Sequence, residues 1–293
     1  MRQRFKMIAL VIAVFAVAAL NANGSAQDTG SPSGVKNIIL VHGAFADGSS
    51  WSKVIPLLQA RGLEVTVVQN PLTSLKDDVA ATKRAIDDRG GRVLLVGHSW
   101  AGAVITQIGT DPKVAGLVFV AAAAPNAGQS FGEMAQKYPT PPGIAQLKAD
   151  AAGFLAMPPA AVATDFAQDL PASVTAVMAV TQGPIAATCF STKVTAAAWR
   201  TQPSWYIVAK RDRMIDPNLE RALAKKIKAR TLELDSSHAV MLSRPQQVAA
   251  FIASAAEALR WVSSLPKTAR RFTTKAGIRA ADRFQPRLAA VCR

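Results

Sequence analysis

From residue 35 onward the chain alternates short, continuous apolar runs with amphipathic stretches of helical period, and few architectures accept that rhythm. Residues 35–41, 64–68, 92–96, 114–121, 205–209 and 231–234 read as strands rich in β-branched residues and leucine. Residues 75–86 place Leu75, Val79 and Ile86 on one helical face, and Ser74 and Asp77 stand at the spacing of a capping box. Strands without polar alternation are buried on both faces, so the sheet is mostly parallel with helices on either side. The rhythm breaks at 125–203, an interval that holds nine of the 17 prolines. Proline at that density excludes long helices, yet Met134, Phe154, Leu155, Met157, Phe166, Met178 and Phe190 must still be covered; the interval reads as an inserted helical cap. Residues 244–259 then set Val248, Phe251, Ile252, Ala255 and Leu259 on one face of a closing helix, and the domain is expected to span 35–262.

The two ends differ from this body. Three basic residues, Arg2, Arg4 and Lys6, precede an uncharged and almost wholly apolar run at 7–20 and a small polar stretch ending Gly24-Ser25-Ala26. That is a signal-peptide pattern, with cleavage expected after Ala26 and a periplasmic or secreted product. The competing reading is an uncleaved anchor, but the run rises only about 21 Å as a helix, short of a full span. Residues 27–34 form a Gly/Ser/Asp linker, and 263–293 a basic tail. The formal charge of +15 sits mostly in these ends: +3 at the N-terminus and +7 from residue 266 on, leaving +5 for the body. Without arginine clusters interleaved with aromatics, the body does not read as a nucleic-acid binder. With half the residues apolar, disorder is excluded. The two cysteines, Cys189 and Cys292, lack metal-ligand spacing, so no metal site is expected.

Chemistry concentrates at residues 93–102, Val-Leu-Leu-Val-Gly-His-Ser-Trp-Ala-Gly. A buried strand running into a small-residue turn and then an apolar helix forces the central residue, Ser99, into a strained conformation above the sheet edge. Gly97 and Gly102 permit such a turn; Ala101 stands where the motif G-x-S-x-G would have glycine. A serine hydroxyl needs an imidazole to take its proton, and the chain has only His42, His98 and His238. His98 adjoins the serine and is directed away by the turn. His42 ends a strand before Gly43, whereas His238 lies in a loop after the last strand and is free to reach across. The acid that fixes the imidazole is Asp212, just past the strand at 205–209; Asp216, before Pro217, has a helix-capping alternative. The oxyanion donors are the amides of Ala44 and Trp100, with Phe45 in reserve.

The segments Val41-His42-Gly43-Ala44-Phe45, Gly97-His98-Ser99-Trp100-Ala101-Gly102, Asp212-Arg213-Met214-Ile215 and Ser237-His238-Ala239-Val240-Met241 resemble the α/β-hydrolase superfamily. Within it they are most similar to the branch holding plant methyl-ester esterases, hydroxynitrile lyases and bacterial relatives. The resemblance covers about 35–259 and implies a Ser99, His238, Asp212 triad, an oxyanion hole at Ala44 and Trp100, a cap over the pocket and no cofactor. It also implies a sheet lacking the first two strands of larger relatives. Plant-type lyases carry Thr where Gly43 stands and Lys where Ala239 stands, and Ser99 excludes the aspartate nucleophile of dehalogenases and epoxide hydrolases. Cofactor-free haloperoxidase or perhydrolase chemistry shares the triad.

The expected activity is therefore hydrolysis of small to medium apolar carboxylic esters through an acyl-enzyme, with Phe45, Phe154, Leu155, Met157, Phe166 and Phe190 against the substrate. A reading from a different class makes the tail the working part. Arg270, Arg271, Lys275, Arg279 and Arg283 with Phe272, Ile278 and Phe284 could meet an anionic membrane surface weakly. A complete triad argues against pure binding, which has no use for all three groups.

Overall fold

The computed structural model describes residues 35–264. The expected leader at 1–26, the linker at 27–34, Cys292 and the tail beyond Ser264 lie outside the described residues. The strands are β1 (Asn37–Val41), β2 (Glu64–Val68), β3 (Val93–His98), β4 (Val114–Val120), β5 (Lys148–Ala149), β6 (Phe154–Ala156), β7 (Ile185–Ala186), β8 (Ser204–Ala209) and β9 (Arg230–Leu234). Six of them form one sheet in the order β2-β1-β3-β4-β8-β9, with every neighbouring pair parallel. The four central strands are buried at every position, whereas the edge strands β2 and β9 expose Glu64, Arg230, Thr231 and Glu233. Charged side chains on both edges disfavour pairing with a second chain.

Five longer helices frame the site: α1 (Leu75–Asp87), α2 (Ala101–Ile108), α3 (Ala172–Thr181), α4 (Pro217–Lys226) and α5 (Pro245–Ser264). Side chains alternate across the sheet. Leu40, Leu94, Val96, Val118 and Ile207 pack with Val248, Ile252 and Leu259 of α5 and with cap residues Met157 and Phe166. Ile39, Leu95, Phe119 and Tyr206 pack on the other face with Leu219 and Leu223 of α4. Each fully buried aliphatic side chain contributes about 1.5–3 kcal/mol, so both faces are needed to hold the sheet.

Three expectations are corrected. The closing helix α5 runs to Ser264, past the boundary expected at 262. The capping box at the start of α1 is only half formed: the Asp77 amide donates to Ser74 Oγ at 3.0 Å, but the Asp77 carboxylate accepts from the hydroxyls of Thr73 and Ser74 instead of the Ser74 amide. Aspartate is one methylene shorter than the glutamate that closes a full box; the reciprocal pair forms in the cap, between Ser130 and Glu133. The cap is also not wholly helical, because β5, β6 and β7 form a small antiparallel sheet. Among the described residues no helix is long and apolar enough to cross a membrane.

Candidate active site

Ser99 lies between the end of β3 and the start of α2 with φ +54, the left-handed region that a side chain adopts only under constraint. Its backbone is fully tied. The amide donates to Val120 O at 3.1 Å, and the carbonyl accepts from Gly102 at 3.0 Å and Ala123 at 3.1 Å. The glycines make the turn possible. A methyl group on Gly97 would fall 2.8 Å from Ala101 O, and one on Gly102 would collide with the Ala123 carbonyl. Close packing therefore rests on Gly97 and Gly102, and Ala101 fits without loss, fully buried.

His238 and Asp212 meet although 26 residues separate them. His238 Nδ1 lies 2.5 Å from Asp212 Oδ2, and both side chains are buried. Asp212 Oδ1 accepts from the amides of Met214 at 2.6 Å and Ile215 at 2.9 Å, which fixes the carboxylate. Asp216 instead accepts from Asn218 N as the N-cap of α4. With Nδ1 facing a carboxylate, the proton of neutral His238 sits there and Nε2 is left as the base. Nε2 is buried with no hydrogen-bond partner among the described residues, so the Ser99 hydroxyl does not yet bond to it. The ring lies 4.6 Å from that of His98, the neighbour of Ser99, and 4.9 Å from that of Phe166.

The other two histidines are structural. His98 is fully buried and its Nε2 donates to His238 O at 3.1 Å, tying the nucleophile turn to the histidine loop. Burial holds its imidazole well below the usual histidine range, and the adjacent His238 adds to this. His42 Nε2 accepts from Asn70 N at 2.9 Å, so Nδ1 carries the proton and donates to Gly43 O at 2.9 Å; burial lowers this ring's basicity as well. Gly43 abuts the nucleophile, since a methyl group there would lie 2.7 Å from Ser99 Cβ. The amides of Ala44, Phe45 and Trp100 donate to no group among the described residues.

Two polar groups that the sequence reading passed over hold these loops. Asn70 Nδ2 donates to His42 O at 2.8 Å. Asp78, fully buried on α1, accepts from Trp100 Nε1 and from Leu72 N, both at 2.8 Å. Burial pushes its carboxyl up, against the pull of those two bonds. Leu72 O in turn accepts from Ala186 N of the cap at 2.9 Å. The segment from Asn70 to Leu72 thus joins both loops flanking Ser99 to the cap.

A second set of contacts fastens the cap to the acid and histidine loops. Asp165 pairs with Arg213 Nε at 2.6 Å, and Gly143 N donates to Arg213 O at 2.9 Å. Gln168 Nε2 donates to Arg211 O at 2.6 Å. Ser237 N donates to Asp169 Oδ2 at 2.9 Å, and Ala239 N to Phe166 O at 3.2 Å.

The candidate substrate residues scatter. Leu155 and Phe190 line a 520 Å³ cavity together with Phe131, Tyr138, Met214 and Leu219. Phe45 lines a smaller one under α3. Phe166 packs on the His98 and His238 rings. Phe154 pairs with Ala186 in the cap sheet, and the backbone of buried Met157 holds the Gln182 amide. Neither cavity is lined by Ser99; the larger lies beside the acid loop and approaches the nucleophile turn through Phe190, whose ring stands 5.8 Å from that of Trp100.

The model of the alpha/beta hydrolase family matches residues 38–251. The chain belongs to that family. A pyrethroid hydrolase of Sphingobium wenxiniae is 35% identical over 101 residues, 30% of this chain and 36% of that protein, so the match spans only about a third of the relative's length. A solved pyrethroid hydrolase from Sphingobium faniae superposes with a TM-score of 0.65 at 22% identity, covering 76% of this chain and 98% of the other. A methylesterase from Arabidopsis gives 0.62 at 21% identity over 76% and 99%. At those identities the likeness is one of fold.

Proposed function

We propose that this family member is a serine hydrolase of small to medium apolar carboxylic esters. The observation that carries the reading is a serine held at φ +54 on a strand-to-helix turn that His98 ties to a buried His–Asp pair. Ser99 Oγ attacks the ester carbonyl while His238 Nε2 takes its proton, and Asp212 steadies the imidazolium. The amides of Ala44 and Trp100 receive the oxyanion. The alcohol departs with the proton from His238, and water releases the acid by the same route. The remaining adjustment is the approach of the Ser99 hydroxyl to Nε2, a contact that commonly tightens only with substrate bound.

The apolar lining of the larger cavity, which approaches the nucleophile turn through Phe190, favours an apolar acyl or alcohol group, in keeping with the pyrethroid hydrolase relative. The lyase alternative fits less well, because Gly43 and Ala239 stand where plant-type lyases carry Thr and Lys. We also take the protein as exported, on the strength of the leader pattern in its first 26 residues.

A panel of chromogenic esters graded by acyl length tests the activity. Wild type should turn over the shorter apolar esters, and Ser99→Ala should lose at least about 10³ in kcat/KM with an unchanged urea midpoint. Full activity in Ser99→Ala would remove the assignment.

A further inference from the structure

Behind Asp212 lies a second carboxyl group that the mechanism above does not use. Glu220, on the first turn of α4, is fully buried. Its Oε2 accepts from Ala209 N, at the end of β8, at 3.0 Å. Its Oε1 is buried and meets no N–H or O–H donor among the described residues; Asp212, whose amide donates to Ala209 O at 3.2 Å, shares the Ala209 peptide end with it, and its carboxyl is the neighbouring acid that acts on Glu220. Two carboxylates are both acceptors, and such a contact is attractive only when one of them holds a proton.

The proton belongs on Glu220. Asp212 already accepts two backbone amides and the His238 ring, so its oxygens are committed as acceptors, whereas Glu220 accepts one amide and has an oxygen to spare. The other ionisable groups near Glu220 do not neutralise it. Tyr206 hydrogen-bonds the backbone of Ala122 through its hydroxyl, and Arg221, next to it on α4, turns outward to Glu233. Burial and the Asp212 charge both push the Glu220 carboxyl well above the usual range.

We propose that Glu220 is a neutral carboxylic acid that donates its proton in a hydrogen bond to Asp212 and thereby positions the acid against His238. It is a positioning residue, since it touches neither substrate nor the reacting atoms. The inference rests on the serine-hydrolase reading for its effect on rate, while the protonation itself can be observed without turnover.

Glutamine is the discriminating substitution. In Glu220→Gln the amide oxygen can still accept from Ala209 N and the NH₂ group can donate to Asp212, so kcat should stay within about threefold of wild type; Glu220→Leu should lower kcat about 10- to 100-fold with KM little changed. Infrared difference spectra of the purified full chain at neutral pH should show one protonated-carboxyl C=O stretch in wild type that is absent from Glu220→Gln. An absent band in wild type, or a Gln variant as impaired as the Leu variant, overturns the proposal. If the band is present but Ser99→Ala keeps full activity, the catalytic reading fails and the proton assignment stands.

Discussion

Ser99 shows how function is imposed on one residue at the expense of local comfort. A non-glycine side chain at φ +54 costs about 1–3 kcal/mol, and here the fold holds it with three backbone hydrogen bonds and two tightly packed glycines. Removing the Cβ relieves that strain. Ser99→Gly should therefore be more stable than Ser99→Ala by about 1 kcal/mol in urea unfolding, with both inactive on the ester panel. Equal midpoints would mean that the turn is unstrained. The three groups at the centre of the site were legible because each stands just after a strand, where the pattern stops and a lone serine, histidine or aspartate has little structural reason to be. Asp78 and Glu220 were not. Both sit in the first turns of helices, where an acid already has a routine explanation in the helix dipole, and only the fold shows their carboxyls pointing inward.

At the level of elements, α1 does more than cover the sheet. Through Asp78 it grips Trp100 at the start of α2 and Leu72 in the preceding loop, so one helix braces the nucleophile turn and the segment that carries the cap. Asp78→Asn turns one of the two accepting oxygens into a donor facing an N–H. The expected loss is about 1–3 kcal/mol of stability, read as a lower urea midpoint, together with a fall in kcat. An unchanged midpoint would contradict this bracing role. The strands of the large sheet were readable because continuous apolar runs bounded by turns leave few alternatives. The cap was legible only as a break: its strands are two or three residues long, too short to display a period, and are set by pairing across the chain.

For the whole molecule, buried ionisable groups of opposite tendency set the response to pH. His42 and His98 are held neutral, so the unfolded chain binds their protons first as pH falls through about 6.5, and that part of the stability is lost on acidification. Glu220 works the other way. Its raised carboxyl contributes fully below about 4.5, the range of an unfolded glutamate, and progressively less as pH rises toward its folded value. Glu220→Gln removes this second contribution and leaves the histidines untouched. The stability of the variant relative to wild type should climb as pH rises above about 4.5, in urea titrations at matched salt. Parallel curves for the two proteins would rule it out.

The fastening of the cap has its own consequence for motion. Arg211, Arg213, Ser237 and Ala239 are bolted to cap residues on the very loops that carry Asp212 and His238. Swinging such a cover aside would break these bonds or drag both loops with it. Cap and catalytic loops are thereby coupled mechanically, and whatever loosens the one slackens the other.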